Sequence, residues 1–198
     1  MRTNIFFVRH GATAANLENR FAGRTEAGLH SEGIAQIQQV GGRLRTEGIT
    51  GIFCGPLART RQSAELLAGQ LGVAVAVEPA LTEMLIPHWD GLTKDEIRER
   101  FGPQYPTWLD TPHLFGLPGC ENLAAVQARA VTTVERLLAA HPGRSILVVS
   151  HLIVLRCLVL HYQSLPLAEF RKVKIANGAL LKLSVDEAGE RSIVQLDC

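Results

Sequence analysis

The chain has 198 residues, 46% of them hydrophobic and 20% charged, with a formal net charge of +1. That size supports one domain with a sizeable core, and the near-neutral balance supplies no global field to draw nucleic acid or a membrane surface, so any anion site must be built locally. No stretch reaches the roughly 18 apolar residues of a membrane span. Arg9 and His10 cut short the first apolar run, so it does not read as a signal peptide. Cys54, Cys120, Cys157 and Cys198 include no CxxC pair. This argues against a structural zinc or a disulfide framework and fits a reducing, cytoplasmic compartment.

In chain order, Ile5–Val8 is short, apolar and β-prone and predicts a buried strand. Ser31 is placed to cap a helix in which Ile34, Ile37, Val40 and Leu44 follow helical spacing to about Glu47, before Gly48. Ile49–Cys54 reads as a second strand ended by Gly55-Pro56. A helix over Ala58–Leu71 presents Ala64, Leu67, Ala68 and Leu71 on one side, and Val73–Val77 makes a third strand. The stretch from Glu83 to Gly119 holds five of the nine prolines and both tryptophans. It reads as an irregular excursion able to cover a site, with one short helix announced by the capping box Thr93-Lys94-Asp95-Glu96. Asn122 caps a long helix with Leu123, Val126, Ala130, Val134, Leu137 and Leu138 inward. Strand Ile146–Val149 stops at Ser150-His151, and a helix follows to about Tyr162. Strands Ala179–Val185 and Ser192–Leu196 flank a turn at Glu187-Ala188-Gly189. Alternating strands and helices predict an α/β fold over 1–198, a single domain with a mostly parallel sheet and helices on both faces.

Ligands in such sheets bind beyond the carboxyl ends of the strands. Arg9-His10-Gly11 follows the first strand, Arg59 comes just after the second, Glu83 follows the third, and His151 ends the strand before the last long helix. Two arginines, two histidines and a glutamate can therefore converge on one mouth. This chemistry fits a phosphoryl group. Arginine supplies a permanently charged planar fork for the oxygens. A neutral imidazole, held in one tautomer through its other nitrogen, can attack phosphorus. Cations around the equatorial oxygens hold the transition state. The scheme requires no metal and no cofactor, and no carboxylate cluster offers itself for a metal. Taken singly, each residue also has a structural reading.

The stretch "VRHGATAANLENRFAG", Val8 to Gly23, resembles the signature of the histidine phosphatase superfamily, the phosphoglycerate-mutase-like proteins. The resemblance rests on Arg9, His10, Gly11, Thr13, Asn16, Arg20, Phe21 and Gly23. It continues through Leu29, Gly33 and Gln36, "GPLARTRQSAELL", "LTEMLIPHWDGLTKDEI", "PGCENL" and "VVSHLIVLR". It implies a three-layer α/β/α sandwich and a phosphatase acting on a small phosphorylated substrate. His10 would be the nucleophile. Arg9, Arg59, Asn16 and His151 would hold the phosphoryl oxygens, and Glu83 would be the general acid and then the base toward water. A protonated carboxyl at neutral pH needs a raised pKa, from burial or a nearby phosphate charge.

Three departures from the family pattern stand out. Leu152 replaces the usual glycine after Ser-His, which narrows the approach to the ligand or points away. Gly119-Cys120-Glu121-Asn122 replaces Gly-Gly-Glu-Ser, with Asn122 an acceptable cap. Gly23-Arg24-Thr25-Glu26 replaces Gly-Trp-x-Asp, and Arg24 reads first as a solvated arginine at the rim, secondarily as a cation for an acidic substrate. A phosphoglycerate mutase, an inactive phosphate-binding module and a metal-dependent hydrolase using His10 and His151 are the competing readings. The first is disfavoured because mutases of this type carry extra basic and tyrosine contacts after the glutamate, and the last because no HxxxH or paired carboxylate is present. His88 reads as a surface histidine, Trp89 and Trp108 as packing of the excursion, and Cys120 as structural. The oligomeric state stays open, a homodimer included.

Overall fold

The computed structural model describes residues 2–196, so Cys198 lies outside it. Six strands form one sheet: β1 Thr3–Arg9, β2 Ile49–Cys54, β3 Val75–Val77, β4 Ser145–Ser150, β5 Leu180–Val185 and β6 Arg191–Leu196. Their spatial order is β3-β2-β4-β1-β5-β6. β3, β2, β4 and β1 are mutually parallel; β5 runs antiparallel to β1, and β6, antiparallel to β5, returns to the direction of β1. The expected three-layer α/β sandwich with a mostly parallel sheet is the observed one.

The two faces of the sheet follow from the period-2 alternation of apolar strand residues. On one face Phe6, Val8, Ile52, Cys54, Leu147 and Val149 meet α2 (Ser31–Leu44) and α3 (Ala58–Leu71). On the other, Ile5, Phe7, Ile146, Val148 and Leu181 meet α6 (Leu123–Ala140) and α7 (Leu152–Tyr162). The connections from β1 and β2 run toward the β3 edge, and those from β3 and β4 run back the other way. Right-handed crossovers then place the two helix pairs on opposite faces. A crevice opens where neighbouring β1 and β4 send their chains in opposite directions, the usual ligand position in such sheets.

Several boundaries differ from the sequence reading. His30, not Ser31, is the N-cap of α2, its ring accepting from the Glu32 amide. Ile34 is 38% exposed, because it sits on the flank of α2 that faces Leu29 and Leu66 rather than the sheet. The third strand shortens to Val75–Val77, since only Ile52–Cys54 of β2 offers it a partner. A short helix α1, Ala14–Leu17, follows the first loop. The excursion is more regular than expected: α4 (Lys94–Arg100) starts at the Thr93 capping box, and α5 (Gln104–Asp110) follows it. Trp89 is fully buried there, edge-on to Phe21, Tyr105 and Trp108 and tilted against Phe115. This aromatic cluster, rather than an apolar period, holds the excursion against the body.

Candidate active site

The site grows out of strand register. Arg9 pairs with Ser150 across β1 and β4, so His10 and His151 follow side by side, their rings 5.2 Å apart and edge-on. Cys54 of β2 pairs with Val149 on the other side of β4, which brings Gly55 and the first turn of α3, with Arg59, to the same mouth.

The loop after β1 is tied at every backbone group from Arg9 to Ala12. Arg9 N–H donates to Ala179 O, and Arg9 O accepts from Gly178. His10 N–H donates to Ser150 O, and His10 O accepts from Asn177 Nδ2. Gly11 N–H donates to Ser63 Oγ, Ala12 N–H to Gln36 Oε1, and Ala12 O accepts from His30 N–H. The remaining carbonyl, Gly11 O, lies 2.8 Å from His10 Nδ1. A carbonyl only accepts, so Nδ1 carries the proton and the Nε2 lone pair is left free. Gly11 is required by contact: a Cβ there would fall 2.3 Å from Gly33 O, where α2 begins.

His10 is 3% exposed, and burial, then the Arg59 and Arg9 charges, hold its imidazole well below the usual range. It is therefore neutral at pH 7. Burial, then Arg59, His10, Arg129 and Arg9, likewise hold fully buried His151 well below the usual range. Neither ring nitrogen of His151 has a protein partner, and neither do Arg9 Nε and Arg59 Nε. Buried polar atoms are normally paired, so this set is free to pair with the oxygens of a bound anion. The arginines are nevertheless held: Arg9 donates to Ile175 O at 2.8 Å, and Arg59 to Thr25 O at 2.9 Å and Gly23 O at 2.5 Å.

Glu83 is 8% exposed. Burial raises its pKa, against the opposing pull of the Met84 N–H, Arg59, the Ile153 N–H and Arg9. Arg24 Nε donates to Glu83 O at 2.9 Å and its terminal nitrogen to Glu121 at 2.8 Å. Arg129 holds the same segment through Ala80 O, Thr82 O and Glu83 O, and pairs with Glu121 at 2.8 Å. Arg24 is thus a half-buried tie and not a solvated rim residue. Its partners, Glu83 and Glu121, lie 59 and 97 residues away, so no local pattern announces the tie.

A cavity of about 370 Å³ lies over these groups. Arg9, His10, Asn16, Arg59 and Glu83 line it, and His151 lies just beneath, against His10. Asn16 Oδ1 is taken by the Thr13 amide and hydroxyl and by Asn177, which fixes the side chain at the rim. Leu152 lines the cavity, so the departure from glycine adds an apolar wall beside the site. His88 is exposed, and half-buried Cys120 packs against the apolar cluster. Trp108 both packs the excursion and faces the cavity, as the packing reading did not foresee. Sequence reading assigns no role to Asn177, Arg156 or Arg171, all lining residues. Arg156 could have been found: it is the one arginine in the apolar run Leu152–Tyr162, on the same helix face as Leu152 four residues earlier. Among the described residues, no group of three His, Cys, Asp or Glu side chains is disposed to hold a metal.

The family model of the histidine phosphatase superfamily (branch 1) matches residues 5–197. A relative from Citrobacter koseri, named "Probable phosphoglycerate mutase GpmB", is 31% identical over 189 residues, spanning 93% of this chain and 86% of that one. Bacillus stearothermophilus YhfR superposes with a TM-score of 0.93 at 26% identity, covering 98% of this chain and 96% of that chain. A mycobacterial glucosyl-3-phosphoglycerate phosphatase, solved with VO3, shares the fold with a TM-score of 0.86 at 22% identity and 98% coverage of each chain.

Proposed function

The chain belongs to the histidine phosphatase superfamily, and from that membership we propose that it hydrolyses a small phosphorylated metabolite through a phosphohistidine on His10. The observation that carries this reading is the locked ring: Nδ1 at 2.8 Å from Gly11 O, in a pocket where Arg9, Arg59 and His151 have nitrogens without protein partners. His10 Nε2 attacks phosphorus, and the ester oxygen leaves as an alcohol with the proton of Glu83. Arg9, Arg59, His151 and Asn16 hold the three equatorial oxygens as negative charge shifts among them. Water then attacks the phosphohistidine, Glu83 takes its proton, and inorganic phosphate and neutral His10 are regenerated. No step calls on a metal or cofactor. The raised pKa of Glu83 and the lowered pKa of His10 shift both groups toward the protonation states that the first step needs.

A mutase is the second reading, favoured by the names of curated relatives. Hydrolysis is preferred because the excursion after Glu83 gives the cavity only Lys94 and Trp108, with no tyrosine, a sparse wall for keeping a phosphoenzyme from water. The test is an acid-labile phosphoenzyme assay beside phosphate release from 4-nitrophenyl phosphate. His10→Ala is expected to abolish both. Phosphoenzyme surviving in that variant removes His10 from the reaction. Conversion of 3-phosphoglycerate into its 2-isomer without phosphate release selects the mutase.

A further inference from the structure

The cavity over His10 carries more positive charge than one phosphoryl group can use. Six cations line it: Arg9, Arg20, Arg59, Lys94, Arg156 and Arg171. Arg20 is already matched by Glu18 at 2.8 Å and Glu96 at 3.7 Å. Arg9 and Arg59 form the floor beside His10, and two guanidiniums balance a phosphate dianion. Arg156, Arg171 and Lys94 remain. Among the described residues, none of these three is in an ion pair with a carboxylate. Glu83 is the one carboxylate lining the cavity, and burial pushes it toward its neutral form.

The two outer arginines are held in place by neutral groups that leave their charge unspent. Arg156 Nε donates to Val173 O at 2.8 Å, and its guanidinium lies 5.0 Å over the Phe170 ring. Arg171 donates to Trp108 O at 2.6 Å and lies 5.1 Å over the Trp108 ring, and its Nε is buried without a partner. The arginines form a row of like charges. Burial and then Arg171 bring the Arg156 pKa down to about 10, and Arg156 is among the charges acting on Arg9. Clustered, partly desolvated cations oppose folding unless a bound anion offsets them. Leu152, Ile153 and Trp108 supply apolar wall around the row, suited to a short carbon spacer.

We propose that the substrate is a phosphomonoester bearing a second anionic group, a carboxylate or another phosphate, which Arg156, Arg171 and Lys94 bind while Arg9 and Arg59 hold the reacting phosphoryl group. This rests on the reading of His10 as the phosphoryl acceptor. The second anion fixes which end of the molecule reaches His10, so a neutral-tailed ester docks without that orientation and reacts less often per encounter.

Non-hydrolysable phosphonates test this without turnover. Calorimetry on the intact protein compares propylphosphonate, 3-phosphonopropionate and propane-1,3-diphosphonate. One charge-assisted pairing predicts that a charged tail tightens binding about tenfold or more over the propyl tail. The carboxylate and diphosphonate arms identify which acid the site takes. Arg171→Gln should erase most of the preference, and Arg171→Lys should restore part of it. Lys94→Gln, at an exposed position, repeats the loss in smaller degree where Arg171 variants melt. Raising salt from about 0.05 M to about 0.5 M should also shrink the preference. If all three ligands bind within about twofold, less than 0.5 kcal/mol apart, the second-anion site is refuted. The proposed chemistry is judged separately by the His10 phosphoenzyme, so either can fail while the other stands.

Discussion

Replacing Gly11 with alanine perturbs His10, the proposed nucleophile, without touching it. The new Cβ would lie 2.3 Å from Gly33 O, 2.7 Å from Gly33 C and 2.9 Å from Gly33 Cα. These are backbone atoms at the start of α2, so no side-chain rotation relieves the contact. Reaching the 3.4 Å of ordinary contact from 2.3 Å requires the loop and the helix to part by about 1.1 Å. Gly11 O is also the acceptor that fixes the His10 tautomer at 2.8 Å, so the shift reaches the His10 ring. Overpacking of this kind costs about 1–3 kcal/mol. For a chain of this length that corresponds to a fall in Tm of roughly 2–12 °C. A misplacement near 1 Å costs about 100-fold in kcat. Thermal melts and steady-state phosphate release from 4-nitrophenyl phosphate measure the two effects together. A Gly11→Ala protein that melts normally and turns over at the wild-type rate would refute the argument that loop position sets the nucleophile.

Other outcomes follow from the Glu83 carboxyl and its ties. Glu83→Gln keeps an oxygen for the Met84 amide, 2.8 Å away in the parent, but has no proton to give. It should lose about 100-fold or more on alkyl phosphates and far less on 4-nitrophenyl phosphate, and equal losses on both would exclude the acid role. Because burial raises the Glu83 pKa, its acid form persists to higher pH than an exposed glutamate and is lost as pH rises through that value. The alkyl-to-aryl ratio of kcat/KM should therefore fall with rising pH in the wild type and stay flat in Glu83→Gln. Arg24→Ala deletes the bonds to Glu83 O and Glu121. It should cost about 1–3 kcal/mol of stability and lower turnover of alkyl esters more than of aryl ones, which melts and paired rate measurements will show.

How much of this was legible depended on whether a signal was local. The junction Val8-Arg9-His10 was readable because an apolar run ends abruptly on charge, and the observed register then joins two such junctions, at Arg9 and Ser150. The sandwich was readable from strands and helices in alternation. The helix caps Thr93 and Asn122 were readable because a capping side chain answers an amide three residues on. The Arg24–Glu121–Arg129 network was not, because Arg24 joins it from 97 residues away, and a pair eight residues apart across a helix start, Glu121 and Arg129, carries no motif. The excursion resisted for a similar reason: Trp89 packs on Phe21 and Phe115, contacts with no period along the chain. Ile34 shows the opposite failure, a correct helical period whose first member overhangs the sheet. Arg171 stands on a 3-10 turn, Leu167–Arg171, that carries no motif.

The order of strands in the sheet also governs when the proposed site comes together as the chain is made. β1, which leads into His10, is flanked by β4 and β5, so its neighbours leave the ribosome long after it does. Until they arrive, the His10 amide has no Ser150 carbonyl to bond and His10 O has no Asn177. Such long-range pairing is slow to assemble and leaves strand edges bare meanwhile. A nascent or half-refolded chain can therefore hold Arg9 and His10 and still lack the assembled site. In a refolding experiment, the proposed turnover should count only molecules whose sheet has closed.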